Sequence, residues 1–368
     1  MLTILVFLLV LTVLVLIHEL GHFFVAKKFG IKVGEFGFGL PPKAIGKKIG
    51  ETIYSINWLP IGGFVKLYGE DEAGGGKFKV QSSKFKVWEK GRAFYARPWW
   101  QKFLVVFAGV FMNFVLASAI FSFLFAVVGV GVPQDKVQIS QIIKGAPADL
   151  AGLKQGEIIE RLNNIKITNT NQLVSETRKH LGEKIILLVK SDSELRFIEV
   201  TPRKTFPKDQ GPLGIAISQP FEVKKYPLLQ APLIGTLEAF KLSGLIIGGI
   251  WTVIYQLVTT GIVPRDVAGP VGIAQLTGQF VQIGPFAVLS FVALLSLNLA
   301  ILNVLPFPAL DGGRLFFILI EAVTRRRVHP RFESLAHAIG MAILLALIAL
   351  ITFHDLTRLI SGQPLIPR

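Results

Sequence analysis

The sequence predicts a polytopic α-helical membrane protein with four net transmembrane helices, a membrane-associated β-hairpin region and one inserted, mainly β domain. Three observations carry that prediction. The 368 residues are 51% hydrophobic and only 17% charged, with a mean hydropathy of +0.56, a balance too apolar for an ordinary soluble protein. Apolar stretches long enough for the roughly 30 Å hydrocarbon core recur along the chain. Between two of them, residues 131–220 change to the composition of a soluble domain, with short apolar strands separated by Gly turns.

Residues 1–26 form the first span, which has no Lys or Arg before its apolar run and no small-residue cleavage site, and so is expected to be a span rather than a signal peptide. Residues 27–102 are Gly-, Pro- and Lys-rich with strand-like pieces, "ETIYSINWL" and "GGFVKLYG", read as one or two β-hairpins at the membrane surface. "RPWWQK" then supplies an aromatic and basic interfacial anchor before a second span over 103–130, in which Asn113 is the one strongly polar group and is read as a helix-contact hydrogen bonder. Residues 221–284 are read as a linker with an interfacial or re-entrant helix, because Glu238, Lys241 and several glycines interrupt its apolar run.

Residues 285–323 as one straight helix would measure about 58 Å, far more than the bilayer needs, so they must break. The break is expected at "NVLPFPALDGGR", where Pro306 and Pro308 remove backbone donors and Gly312 and Gly313 relax the backbone after them. Residues 324–368 hold the Arg-rich "TRRRVHPR" loop and a last span from about Leu335 to Phe353.

Charge distribution orients the chain. Fifteen Lys/Arg face six Asp/Glu between Val25 and Lys102, whereas seventeen face thirteen between Val132 and Gly284. The first connector and the Arg-rich loop therefore read as cytoplasmic and the 131–220 insert as translocated, which accounts for the net charge of +15 without a nucleic-acid partner. If residues 231–263 crossed once, the Arg-rich loop would fall outside and Asp311 would emerge on the wrong side. Four net spans with both termini outside avoid both conflicts.

The chemistry lies in "HELGH". His18 and His22, four residues apart, project from one helix face with Glu19 between them. This is the HExxH pattern, in which two imidazoles bind zinc and the carboxylate moves the proton of a water. Ionisable groups at the end of a lipid-grade helix are a functional hypothesis by default. Zero cysteines exclude thiolate ligands, and a catalytic zinc takes three protein ligands. Asp311, the one carboxylate in the predicted break, is the candidate for the third. His180, His329, His337 and His354 are expected at surface or interfacial positions. A metal carrier would explain the two histidines but has no use for Glu19.

"GAPADLAGLKQGE" and the surrounding strands resemble a PDZ domain of the bacterial, circularly permuted kind. HELGH in the first span, that insert and "NVLPFPALDGG" together resemble the site-2 protease family of intramembrane zinc metalloproteases, in its bacterial sigma-factor-regulating branch, over essentially the whole chain. The resemblance implies one Zn²⁺ held by His18, His22 and Asp311, Glu19 as general base and acid, and Asn303 helping to position the substrate backbone or oxyanion. It implies that "GGFVKLYG" lies near the active site and offers a strand edge. Expected substrates are single-span membrane proteins already trimmed once, such as an anti-sigma factor, or leftover signal peptides, cut in the bacterial cytoplasmic membrane with the active site toward the cytoplasmic face. A peptide C-terminus is an expected PDZ ligand, at the "GPLGIAI" turn. Two features depart from the family: the insert has room for one PDZ domain rather than a tandem pair, and Val110 follows Gly109 where Pro is common.

Overall fold

Helix α1 (Leu2–Lys28) is continuous and mostly apolar up to His18, and its backbone groups bond one another, as a segment entering lipid requires. It ends where Gly30 turns left-handed (φ +69°), with Ile31 N–H bonded to Ala26 O at 2.9 Å and Gly30 N–H to Lys27 O at 3.0 Å. The structure, a computed structural model, describes residues 2–70, 91–191, 194–207, 210–261 and 267–361. The Lys-rich part of the first connector, 71–90, lies outside the described residues.

"ETIYSINWL" and "GGFVKLYG" are not separate strands but parts of one, β2 (Thr52–Leu67), paired antiparallel with β1 (Val33–Ile49). The register shifts so that β1 is used twice: Phe36 faces both Tyr54 and Val65, and Phe38 faces both Ile56 and Gly63. The 63–67 end of β2 thus pairs with β1 on one side only. Glu51, at the β1–β2 turn, receives two 2.7 Å hydrogen bonds from Arg92 and one of 3.0 Å from Lys27. The Arg92 guanidinium, aided by Lys27, holds its carboxyl down to about 2 against the opposing effect of burial.

Helix α2 (Trp99–Val127) runs antiparallel to α1, with Asn113 beside His18 and Val105 beside His22. The chain divides into two compact units, and the second, Val127–Tyr226, encloses the 131–220 insert. Its ends form a ribbon of β3 (Val130–Pro133) with β10 (Phe221–Lys224). Between them a six-stranded antiparallel sheet is ordered β8-β7-β5-β4-β9, with β6 (Ile165–Lys166) on β5. The strands are β4 (Val137–Ile142), β5 (Ile158–Leu162), β7 (Ile185–Ser191), β8 (Glu194–Val200) and β9 (Ile215–Ser218). A short α3 (Pro147–Leu150) and α4 (Thr170–Lys179) complete it, α4 being capped by Asn169, whose side chain accepts from Gln172 N at 2.8 Å. Alternating residues Ile185, Leu187 and Val189 of β7 join Ile139, Ile159 and Leu173 in its core.

The first unit resumes with α5 (Ala231–Thr260), 30 residues without a break. Its glycines, Glu238 and Lys241 do not interrupt the helix. Glycine costs only about 1 kcal/mol relative to alanine in a helix, less than opening the backbone to lipid would. Among the described residues five helices are long and apolar enough to cross a membrane: α1, α2, α5, α7 (Pro285–Val304) and α9 (Pro330–Ile360). Gly235 of α5 packs on Ser122 of α2, and the Phe240 and Phe114 rings meet at 4.7 Å. Helix α6 (Pro270–Ile283) lies against Thr3 of α1 at Gly278. Its start is held by the buried Asp355 of α9, which accepts from Gly269 N (3.0 Å) and Gly272 N (2.7 Å) and pairs with Arg358. The helix broken at 305–310 continues as α8 (Asp311–Thr324), as the two prolines predict.

Candidate metal centre

The buried positions of α1 include Leu14, His18, Gly21 and His22, which recur at helical spacing and turn toward α2. Gly21 allows the approach: a Cβ there would lie 2.6 Å from the Ala108 carbonyl carbon. Gly109 does the same from the other side, since a Cβ on it would sit 2.5 Å from His22 Cε1 and 2.9 Å from His18 Cε1. Small residues at a helix crossing are what bring two lipid-grade helices this close.

Asp311 arrives from the other end of the chain. Gly312 and Gly313 pack so tightly on Leu305 and Phe307 that no larger residue fits, which folds the loop back and starts α8 at the aspartate. Asp311 Oδ2 then lies 2.8 Å from His18 Nε2 and 3.3 Å from His22 Nε2, and the two Nε2 atoms are 3.2 Å apart. A tetrahedral zinc with bonds of about 2.0–2.1 Å has neighbouring donors about 3.3–3.4 Å apart. Two imidazoles and one carboxylate at these separations therefore fit one zinc ion with a coordination position to spare.

The surroundings prepare the donors. His22 Nδ1 donates to Val105 O at 2.8 Å, which leaves the Nε2 lone pair facing Asp311 and His18. Asn113, fully buried, has Nδ2 3.3 Å from His18 Nδ1, while its Oδ1 has no partner among the described residues. The N and O of an amide are nearly the same size, so the group can turn over in place. Turning it over gives the His18 Nδ1–H an acceptor and satisfies the orphan oxygen. Asn113 is thus more than a contact between helices: it backs a candidate ligand.

The Glu19 Oε2 accepts from Val65 N at 2.9 Å, on the one-sided end of β2. Glu19, His22 and Asp311 share a cavity of about 190 Å³ with Phe64, Val65 and Arg314. Arg314, one turn after Asp311 on α8, is ion-paired with Glu70 just beyond β2. Asn303 is half-buried in the last turn of α7 and does not line this cavity. Of the other histidines, His180 pairs with Glu183 at 3.0 Å on the second unit's surface, and His329 caps the start of α9. His337 is half-buried, its Nδ1 accepting from Ala309 N at 2.9 Å and its ring packed on Phe317. No motif in the sequence assigns Gly109, Arg314 or His337 a part in the metal site. For Gly109 a signal is present, since it stands four residues before Asn113 on the same helix face.

Residues 6–347 match the sequence profile of Peptidase family M50. A zinc metalloprotease of Clostridium perfringens is 33% identical over 350 residues, covering 95% of this chain and 97% of that protein. The regulator of sigma-W protease RasP of Bacillus subtilis is 29% identical over 424 residues, covering 97% and 99%. Zinc metalloprotease RasP of Geobacillus kaustophilus is 29% identical over 419 residues, covering 96% and 97%. With its lipid-grade helices and a donor set that fits zinc, the chain belongs to peptidase family M50, the site-2 proteases, and is an integral membrane zinc metalloprotease.

Proposed function

We propose that this protein cuts peptide bonds within the transmembrane segments of single-span membrane proteins, with His18, His22 and Asp311 holding one zinc and Glu19 moving the protons. The observation that carries the reading is the triangle of donors, with sides of 2.8, 3.2 and 3.3 Å, beside a carboxylate that is itself bonded to a strand edge. Zinc supplies Lewis acidity, polarising the scissile carbonyl and making water a better nucleophile. Glu19 takes the proton of the attacking water and returns it to the leaving amine. A substrate helix hides its peptide bonds in its own hydrogen bonds, so it must unwind first. The 63–67 end of β2 offers an edge to an extended substrate, which would displace the side-chain carboxylates of Glu19 and Glu70 from Val65 N and Leu67 N, and Asn303 orients the substrate backbone before the cut.

The name of the Bacillus subtilis relative ties that protein to sigma-W regulation, and an anti-sigma factor already trimmed by another protease is the substrate class we infer here. The second unit acts as a PDZ domain that filters substrates or reads a peptide C-terminus. Support comes from the left-handed Gly214 (φ +72°) and the buried Leu213, which sit in a tight turn at the start of β9, an edge strand of its sheet.

Four net spans in the bacterial cytoplasmic membrane, with that domain outside and the zinc toward the cytoplasm, agree with two observations. The Lys/Arg surplus concentrates in the first connector. The segment from Gly235, on Ser122, to Gly278, on Thr3, begins and ends toward the end of the bundle where α1 starts, so α5 need make no net crossing. Glu19→Gln tests the chemistry: it should keep full zinc and abolish cleavage of a transmembrane substrate. Substantial turnover by the zinc-loaded variant would refute the assignment of Glu19.

A further inference from the structure

The loop that presents Asp311 is bent into a shape it does not hold by preference. Ala309 has φ +86°, in the region that residues with a side chain avoid, two positions before the carboxylate. A conformation of this kind persists where neighbouring groups over-determine it. Two such groups come from α9, which contributes no atom to the cluster of His18, His22 and Asp311. His337 Nδ1 accepts the Ala309 N–H at 2.9 Å, and Gly340, one turn on, lets the α9 backbone close over Pro308. A Cβ at 340 would meet the Pro308 carbonyl carbon and Cβ at 2.6 Å. The two contacts grip consecutive residues of the loop from the same helix.

The chemistry of the His337 contact is directional. Nδ1 can accept only with its lone pair free, so the ring proton sits on Nε2, which is buried with no hydrogen-bond partner among the described residues, while the ring packs with Phe317 at 5.8 Å between centroids. An apolar side chain of similar size fills the same space but offers no acceptor, and Ala309 then loses the bond that holds its N–H in this strained geometry.

We propose that His337 is a positioning residue for the metal centre. It acts through Ala309 and, with Gly340, uses the last helix to set where the Asp311 carboxylate stands against His18 and His22. The inference rests on the reading of Asp311 as a ligand, and it adds that the site's third corner is tuned from a helix that never touches it. Any displacement of α9 along its own axis would then be felt at the zinc.

The test uses the full chain in detergent or nanodiscs, with zinc affinity measured by competition against a chelator, alongside unfolding temperature. Asparagine carries its Oδ1 where histidine carries Nδ1; leucine does not. His337→Leu should weaken zinc binding by about 10- to 100-fold, the range found when groups behind a ligand are removed. His337→Asn should restore it to within about 3-fold of wild type at the same margin. Gly340→Ala, which removes no polar group and pushes α9 off Pro308, should also weaken binding. It gives an answer even where His337→Leu fails to fold. Wild-type affinity in His337→Leu or Gly340→Ala overturns the proposal, as does an Asn variant no better than Leu, which would make the ring a packing element only. Asp311→Ala is run beside them: zinc retained in that variant refutes Asp311 as a ligand, whereas zinc lost there but kept in His337→Leu refutes the positioning role alone.

Discussion

Gly109 gives the sharpest quantitative test of the site. Replacing it by alanine puts one methyl group 2.5 Å from His22 Cε1 and 2.9 Å from His18 Cε1, where ordinary contact begins at 3.4 Å. Without helix movement, the rings must withdraw by about 0.9 Å at His22 and about 0.5 Å at His18, several times the roughly 0.2 Å tolerance of a zinc–ligand distance. Moving α2 away instead opens the Gly21–Ala108 contact and takes Val105 and Asn113 from the imidazoles they support. Either response costs zinc affinity at least about tenfold, or about 1.4 kcal/mol. Helix propensity acts in the opposite direction, since Gly→Ala favours a helix by about 1 kcal/mol. The expected signature is therefore a split: metal-free Gly109→Ala unfolds at or near the wild-type temperature, while its zinc content after dialysis against a zinc buffer collapses and activity is lost with it. A variant with wild-type zinc affinity and turnover would show that α1 and α2 do not close on the metal as described.

Three other outcomes are expected. Asn113→Leu should lower zinc affinity by about tenfold while Asn113→Asp, which keeps an acceptor for His18 Nδ1, retains more of it; equal losses in the two would point to packing alone. Cysteines placed at Lys144 and Ile283 of this naturally cysteine-free chain should both react with an impermeant reagent from outside, and labelling of position 283 only from the cytoplasm would overturn four net spans. Glu51, depressed to about 2 by Arg92 and Lys27, stabilises the hairpin fully above its unfolded value of about 4.5 and loses that contribution as pH falls toward 2. The difference in amide-exchange protection between wild type and Glu51→Gln at the β1–β2 turn should shrink across that window, and a pH-independent difference would contradict the ion pair's role.

Legibility in the sequence divides along physical lines. Helix α1, the break after α7 and the β-rich insert were legible because each is a local pattern: apolar length, two prolines before two glycines, and period-two strands between turns. The pairing of His18 with Asp311 was inferable from ligand arithmetic, since a two-histidine site is short of one donor. The double use of β1 was not, because register is a property of both strands and shifts at bulges no single residue announces. That α5 runs unbroken through its glycines, Glu238 and Lys241 was not legible either, since such residues weigh heavily in a sequence pattern but cost a long helix little. Gly109 and His337 act by where their backbone or ring happens to meet another segment. No spacing rule encodes such a meeting.

The separation of the donors in the chain has a bearing on how the protein is made. His18 and Asp311 are 293 residues apart, yet they close one corner of the same small triangle. At synthesis rates of about 5–20 residues per second, roughly 15–60 s elapse between the two leaving the ribosome's tunnel. During that interval the first helix is already in the bilayer, carrying HELGH, with no third donor to complete it. On the proposed ligand set the metal site is therefore incomplete while the later helices are made, and it closes only once the loop bearing Asp311 has docked. The three-residue cluster thus depends on nearly the whole chain being in place.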